Sequence, residues 1–219
     1  MPRAPTYAGA VSTVLLTGFE PFADATVNPS AEAVHLAADL WEGPEALVTD
    51  VLPVSFAGAA SRLRELIAMH SPDIVIASGL AGGRAAVGIE RIAVNLADAR
   101  IPDNDGAQPL DEPSIASAPA AYFSTLPVKA IARAVAGAGI PVEVSHTAGT
   151  FVCNHAMFAA LHEAASRPSM RAGFVHVPWA DGQAEPSLPL ESITQALLIT
   201  VRTALDTRVD ISSPGGALH

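Results

Sequence analysis

Short apolar runs alternate along the chain with longer segments whose apolar residues recur every three or four positions. The short runs are β-branched or aliphatic and predict strands. The longer segments have the periodicity of helices packed on one face. The predicted strands are 13–19, 47–54, 73–79, 141–146 and 173–178, with a further strand or hairpin at 85–95. The predicted helices lie near 29–40, 56–70, 128–138, 154–166 and 191–205.

This alternation of strands and helices predicts a single α/β domain over residues 1–219. We expect a three-layer α/β/α sandwich with a mostly parallel (mixed) twisted sheet. Residues 1–12 and 207–219 are expected to be flexible ends. A segment of about 30 residues around 98–125, rich in Pro, Asp and Ala, predicts a functional or mobile loop. In such sheets, ligands collect at the carboxyl ends of the strands.

The amino-acid composition limits the kinds of molecule that we expect the protein to bind. The 219 residues are 50% hydrophobic and 16% charged, and the formal net charge is -10. No basic cluster is present, so nucleic acid and anionic membranes are not expected to bind. No run is apolar enough to span a membrane and no secretory signal is seen, so we expect a soluble, cytoplasmic protein. The single cysteine excludes an internal disulfide and fits a reducing compartment.

That cysteine, Cys153, lies between the strand 141–146 with its Thr-Ala-Gly-Thr turn and an apolar helix. A strand–turn–helix arrangement presents a nucleophile in many hydrolases. A thiol at a helix N-terminus is expected to have a pKa below its usual value of about 8.5. The alternative is an inert core cysteine, since cysteine is among the most buried residue types.

A thiol nucleophile needs a base, and three histidines are candidates by position. His155 is close in sequence, but residues two apart on a helix point about 200° apart. His146 ends its strand and is either near the thiol or in solvent. His176 lies near the carboxyl end of the next strand, and we favour it as the base over a core role.

Glu90 is the candidate for orienting the imidazole, because it interrupts a β-like run. The alternative is a Glu90–Arg91 pair on a solvated edge. The preceding loop, Gly-Leu-Ala-Gly-Gly-Arg at 79–84, is only a weak indication of phosphate binding because it lacks the Lys-Ser/Thr of a P-loop. Cys153, His155 and His162 lack the spacing of a zinc site, so no metal and no cofactor are expected.

Phenylalanine is scarce, yet Phe19 and Phe22 flank Glu-Pro directly after the first strand. Two aromatic side chains at the end of a strand indicate either an apolar ligand clamp or an ordinary loop anchor. The sequence pattern alone does not decide between these two interpretations.

Together these segments resemble the pyroglutamyl peptidase I (pyrrolidone-carboxylate peptidase) family of cysteine peptidases. The resemblance extends from about Thr13 to Leu205. Four stretches carry it in order: LLTGFEPFADATVNPS, GLAGGRAAVGIERIAVNLADARIPDNDG, SHTAGTFVCNHAMF and GFVHVPW.

The resemblance implies a triad with Cys153 as nucleophile, His176 as base and Glu90 as its orienting acid. It also implies Arg100 near the oxyanion. Pocket residues for a pyroglutamyl ring fall on Phe19, Phe22, Leu80, Ile101, Phe151 and Val152. The chain departs from the family at Leu80, where glutamine is common, and at Ile89, where proline is frequent.

The implied activity is that of an exopeptidase (omega peptidase) that removes an N-terminal pyroglutamyl residue from small peptides through an acyl-enzyme. The family also implies a homodimer or homotetramer. Two alternatives remain: a related cysteine amidase acting on another small cyclic or acylated substrate, and a non-catalytic small-ligand binder on the same fold.

Overall fold

Six strands form the central sheet of the computed structural model, which describes residues 11–23 and 25–216. Their order is β2-β1-β3-β8-β4-β7, and every pair is parallel except β4 with β8. These strands are β1 (Thr13–Phe19), β2 (Ala46–Leu52), β3 (Ile74–Leu80), β4 (Val87–Glu90), β7 (Val142–Ser145) and β8 (Arg171–Val177). The mixed, mostly parallel sheet predicted from the alternating pattern is therefore confirmed.

Helices cover both faces of this sheet. One core joins the sheet to α2 (Phe56–His70) and α4 (Val152–Ala165). The other joins it to α1 (Pro29–Leu40), α3 (Val128–Gly137) and α5 (Leu190–Asp206). The β3 residues are all buried because helices cover both of its sides. The three-layer α/β/α arrangement is thus the one predicted.

The segment 85–95 is neither one strand nor a self-contained hairpin. After β4 the chain leaves the central sheet, and β5 (Ile92–Val94) pairs antiparallel with β6 (Ala121–Phe123). The partner of β5 thus comes from the far end of the long connection. Two short strands, β9 (Trp179–Ala180) and β10 (Ser187–Leu188), form a separate parallel pair.

The long connection between β5 and β6 is organised around one buried carboxylate. Asp103 Oδ1 accepts hydrogen bonds from the backbone N–H groups of Asp105 and Ala107. Its other oxygen, Oδ2, accepts one from Phe56 N at the start of α2. A loop with its own internal hydrogen bonds and a hydrogen bond to a helix has a defined path.

The sequence predicts flexible ends at 1–12 and 207–219. Residues 1–10 and 217–219 lie outside the described residues. In the segment before residue 217, the Asp210 side chain accepts hydrogen bonds from the N–H groups of Lys129 and Ala130. Lys129 Nζ donates to Ser213 O. The segment from 207 to 213 is therefore anchored, because Asp210 supplies the side-chain cap that α3 otherwise lacks. Over the described ranges, no helix is long and apolar enough to cross a membrane.

Candidate active site

A cavity of about 220 Å³ lies at the carboxyl ends of β1, β3 and β8. Its wall is mostly apolar, with four polar or ionisable side chains: Asn28, Arg84, Cys153 and His176. Its apolar and backbone lining comes from Phe19, Phe22, Val54, Leu80, Ala81, Ala148, Gly149, Phe151 and Val152. A concave apolar wall with a few polar groups is the usual form of a small-ligand site.

The turn between β7 and α4 places Cys153 at this cavity. Gly149 adopts a φ of 77°, a left-handed conformation that favours glycine. Helix α4 then begins at Val152, two residues earlier than predicted, so Cys153 lies in its first turn. The hydroxyl of Thr150 donates to Asp98 O at 2.7 Å and ties the turn to the long loop.

Asn154, the residue after the cysteine, fixes the start of α4 against β5. Its Oδ1 accepts from Val94 N at 3.0 Å, and its Nδ2 donates to the carbonyls of Val94 at 2.9 Å and Leu96 at 3.0 Å. The side chain is completely buried. Asn154 is not among the residues predicted for the site, although an amide at the start of an apolar helix indicates a buried polar partner.

The antiparallel pairing of β4 and β8 brings Glu90 to His176. Gly88 lies opposite His176 and Glu90 opposite Phe174, so the two side chains are diagonal neighbours on one face. His176 Nδ1 and Glu90 Oε1 are 2.7 Å apart. Because a carboxylate only accepts, Nδ1 carries the donated proton and Nε2 is the free ring nitrogen.

Glu90 is fully buried, so the alternative of a Glu90–Arg91 pair on a solvated edge is wrong. Burial alone would raise the pKa of Glu90. Its hydrogen bond to His176 and the charge of that residue, the neighbouring Ser145 hydroxyl and the charge of Arg84 together outweigh burial, and the pKa is lowered. The buried acid is therefore a carboxylate at neutral pH.

Cys153 and His176 line the same cavity, and His176 pairs in register with Gly79, against which the sulfur lies. Across the part of the chain that the structure describes, no hydrogen bond joins the thiol to the imidazole. Catalytic hydrogen bonds are often long before a substrate binds.

The thiol itself differs from the expectation of a lowered pKa. The pKa of Cys153 is raised to about 12, chiefly by burial and also by the negative charge of Glu90, while Arg84 acts in the opposite direction. The sequence-based expectation was wrong because it counted the helix N-terminus and not the desolvation of the sulfur. A thiol with this pKa is protonated at neutral pH.

Arg84 is a second residue of the site that was not predicted from the sequence. Its Nη1 lies 2.8 Å from Glu90 Oε1, and its Nη2 donates to Thr147 O at 3.0 Å. The glycines of the loop 79–84 are its most visible feature in the sequence, whereas its arginine is the group that contacts the buried acid.

The residues predicted for the pocket fall into two neighbouring cavities. Phe19, Leu80 and Val152 line the cavity of Cys153. Arg100 and Ile101 are exposed and line a second cavity of about 500 Å³ instead. Phe22 and Phe151, whose ring centroids are 6.2 Å apart, line both. The structure therefore does not bring Arg100 and Ile101 together with Cys153.

The other two candidate histidines lie outside this cavity. His146 is exposed. His155 packs edge-on against Phe56 with ring centroids 5.5 Å apart, and burial lowers its pKa. Among residues 11–23 and 25–216, no group of three His, Cys, Asp or Glu side chains is placed to hold a metal ion.

The chain matches a known protein family and proteins that are similar to it over nearly their full length. The family model described as pyroglutamyl peptidase matches residues 12–207. A pyrrolidone-carboxylate peptidase of Cupriavidus taiwanensis is 48% identical over 214 residues, covering 94% of this chain and 99% of that protein.

Two solved structures have the same fold. Pyroglutamyl peptidase I from Bacillus amyloliquefaciens aligns with a TM-score of 0.89 and 44% identity over 93% of this chain and 100% of that one. Pyrrolidone carboxyl peptidase from Thermococcus litoralis aligns with a TM-score of 0.90 and 39% sequence identity, again over 93% of this chain and 100% of that one. The fold and these matches define a hydrolase of the cysteine peptidase class. Within that class, the chain belongs to the pyroglutamyl peptidase family.

Proposed function

We propose that this protein hydrolyses the amide bond that follows an N-terminal pyroglutamyl residue in small peptides. Cys153 is the nucleophile, His176 the base and Glu90 the acid that orients it. The observation that carries this proposal is the 2.7 Å contact between His176 and the buried Glu90, at the cavity that Cys153 also lines.

Because the Cys153 thiol is protonated, we favour a mechanism in which its proton is transferred during the attack over one that starts from a preformed thiolate. His176 Nε2 takes the thiol proton as the sulfur attacks the pyroglutamyl carbonyl, and the imidazolium formed is stabilised by Glu90. The imidazolium then gives this proton to the leaving amine. Water, deprotonated by the same imidazole, hydrolyses the thioester and releases the acid.

The developing oxyanion needs hydrogen-bond donors. Backbone N–H groups in the first turn of α4 are available for this, because the first N–H groups of a helix have no intrahelical partner. Arg100 was also predicted for this role, and it would need to swing in from the neighbouring cavity to fill it.

The cavity suits a pyroglutamyl ring on chemical grounds. The ring is a neutral lactam without an α-amine, so an apolar slot formed by Phe19, Phe22 and Phe151 accepts it without burying a charge. An ordinary charged N-terminus would lose its hydration there without gaining a counter-ion. Leu80 contributes to this wall, so the departure from glutamine makes the wall more apolar.

The test is cleavage of a pyroglutamyl-linked fluorogenic amide. We expect turnover by the wild type, none by Cys153→Ala, and a large loss in His176→Ala. His35→Ala, on the exposed side of α1, is the matched control and should keep wild-type kcat/KM. Turnover by Cys153→Ala would overturn the assignment of the nucleophile.

The alternative of a related amidase is tested with a panel of lactams as protectants of Cys153 against iodoacetamide. Protection by 2-pyrrolidone supports the pyroglutamyl substrate, and protection only by other rings contradicts it. The homodimer or homotetramer and the cytoplasmic location remain predictions, to be checked by light scattering and by fractionation.

A further inference from the structure

One oxygen of Glu90 accepts hydrogen bonds from two groups, the guanidinium of Arg84 and the imidazole of His176. Oε1 accepts from Arg84 Nη1 at 2.8 Å and from His176 Nδ1 at 2.7 Å. The other oxygen, Oε2, is buried and has no hydrogen-bond partner among the described residues. The orientation of the carboxylate toward the imidazole therefore depends on the oxygen that it shares with Arg84.

The same guanidinium reaches the turn that holds the cysteine. Arg84 Nη2 donates to Thr147 O at 3.0 Å, and Ser145 Oγ donates to that same carbonyl at 3.1 Å. Thr147 lies in the connection between β7 and α4, six residues before Cys153. Arg84 thus links the acid–imidazole pair to the segment that carries the nucleophile.

The backbone leaves space for this side chain. A Cβ added to Gly88 would lie 2.5 Å from Arg84 Nη1 and 3.5 Å from Glu90 Oε1. Any larger residue at position 88 would displace the guanidinium from its place over the β4 strand. The room at Gly88 is therefore a condition for the contact between Arg84 and Glu90.

We propose that Arg84 is a positioning residue for the reaction: it holds Glu90 in the orientation that directs His176 toward Cys153, and it fixes the turn before the nucleophile. This inference rests on the proposed triad. A planar guanidinium satisfies both acceptors at once, whereas a lysine ammonium is a single point of attachment.

The charges of Glu90 and Arg84 act on the Cys153 thiol in opposite directions. Glu90 faces Arg84, His176 and Cys153, while Arg84 faces Glu90 and, at 4.0 Å, the exposed Glu143. The positive charge of Arg84 lowers the pKa of the Cys153 thiol and that of Glu90. Removal of the charge should make the thiol harder to deprotonate at every pH.

The experiment compares Arg84→Met and Arg84→Lys with the wild type. Arg62→Met is the matched control, since Arg62 forms a partly exposed ion pair with Asp50 at 2.7 Å outside the site. We expect kcat/KM for the fluorogenic amide to fall about 10- to 100-fold in Arg84→Met, with Arg84→Lys intermediate. The control should be unchanged.

Two further measurements separate positioning from folding. The rate of Cys153 alkylation by iodoacetamide at about pH 8.5 should fall about threefold or more in Arg84→Met. Low-millimolar guanidinium chloride should restore part of both rates in Arg84→Met and have no effect on the control. A purely structural role would not give this response to guanidinium.

The proposal is overturned if folded Arg84→Met alkylates Cys153 at the wild-type rate and does not respond to guanidinium. Should Arg84→Met fail to fold, wild-type rates in Arg84→Lys would overturn it equally. If the wild type cleaves no pyroglutamyl amide, the proposed function fails, but the alkylation comparison still decides the role of Arg84.

Discussion

Gly79 lies directly behind the sulfur of Cys153, with no room for a side chain between them. A Cβ added to Gly79 would come within 2.8 Å of Sγ and within 3.0 Å of Phe174 Cζ. Gly79 is also the register partner of His176 on the neighbouring strand. This glycine of β3 therefore sets how deeply the nucleophile lies in the site.

Gly79→Ala is expected to displace the thiol into the cavity. Overpacking of this kind costs about 1–3 kcal/mol of unfolding free energy, and a displaced nucleophile should lower kcat/KM about 10-fold or more. Gly137→Ala is the matched control, because a Cβ there meets nothing within 4 Å. Wild-type kinetics in folded Gly79→Ala would contradict the close approach.

The raised pKa of Cys153 predicts how its alkylation depends on pH. Since the pKa of the thiol is raised to about 12, the rate with iodoacetamide should keep rising up to about pH 10. The chain unfolded in urea is the control, and its rate should level off above the ordinary thiol pKa of about 8.5. The chain has one cysteine, so labelling reports on Cys153 alone. A plateau beginning below about pH 7 in the folded protein would indicate a preformed thiolate and contradict this prediction.

The elements and the site differ in how far the sequence predicts them. Strands and helices follow from apolar periodicity, which is local. Helix α1 also begins with two local signals, the capping side chain of Asn28 and a proline at its first position, Pro29. Cys153 is a candidate as the single cysteine at a strand–turn–helix junction, and His176 and Glu90 are candidates because each interrupts an apolar run. The resemblance of the motifs to a family points to the same three residues.

The contacts that depend on register were not foreseeable. The contact between His176 and Glu90 needs β4 antiparallel to β8. The hydrogen bonds between Asn154 and Val94 need the chain to leave the sheet after Glu90. The thiol pKa was mispredicted for a similar reason: desolvation depends on the packed surroundings, whereas a helix N-terminus is visible in the sequence.

Glu90 is expected to make stability depend on pH in the acid range. Its pKa is lowered on folding from the ordinary 4.5, because its polar and charged neighbours outweigh burial. The folded state thus binds this proton less tightly than the unfolded chain, so the stabilisation is complete above about pH 4.5 and is lost as the pH falls through the lower, folded value.

Urea unfolding at several pH values measures this effect. The unfolding free energy of Glu90→Gln should fall less steeply than that of the wild type as the pH drops from about 5 to about 3. Glu65→Gln, at an exposed carboxyl on α2, should keep the wild-type slope. Equal slopes for the wild type and Glu90→Gln would mean that this carboxylate contributes nothing to the acid sensitivity.

The last prediction concerns Asn154, whose amide donates to two backbone carbonyls and accepts from one N–H. In Asn154→Asp the amide nitrogen becomes a carboxylate oxygen, and a buried negative charge would face the carbonyls of Val94 and Leu96. We expect a loss of about 3 kcal/mol or more of unfolding free energy at neutral pH. Because Asn154 holds the first turn of α4 on β5, kcat/KM should fall as well.

Asn104→Asp is the matched control for this substitution. Asn104 is exposed, and its Nδ2 makes one hydrogen bond, to Pro21 O at 3.0 Å. We expect a loss of about 1 kcal/mol or less there, with kcat/KM unchanged, because water solvates the new charge. If Asn154→Asp is no more destabilising than Asn104→Asp in urea unfolding, the amide does not anchor α4, and the position of Cys153 must be fixed by the preceding turn alone.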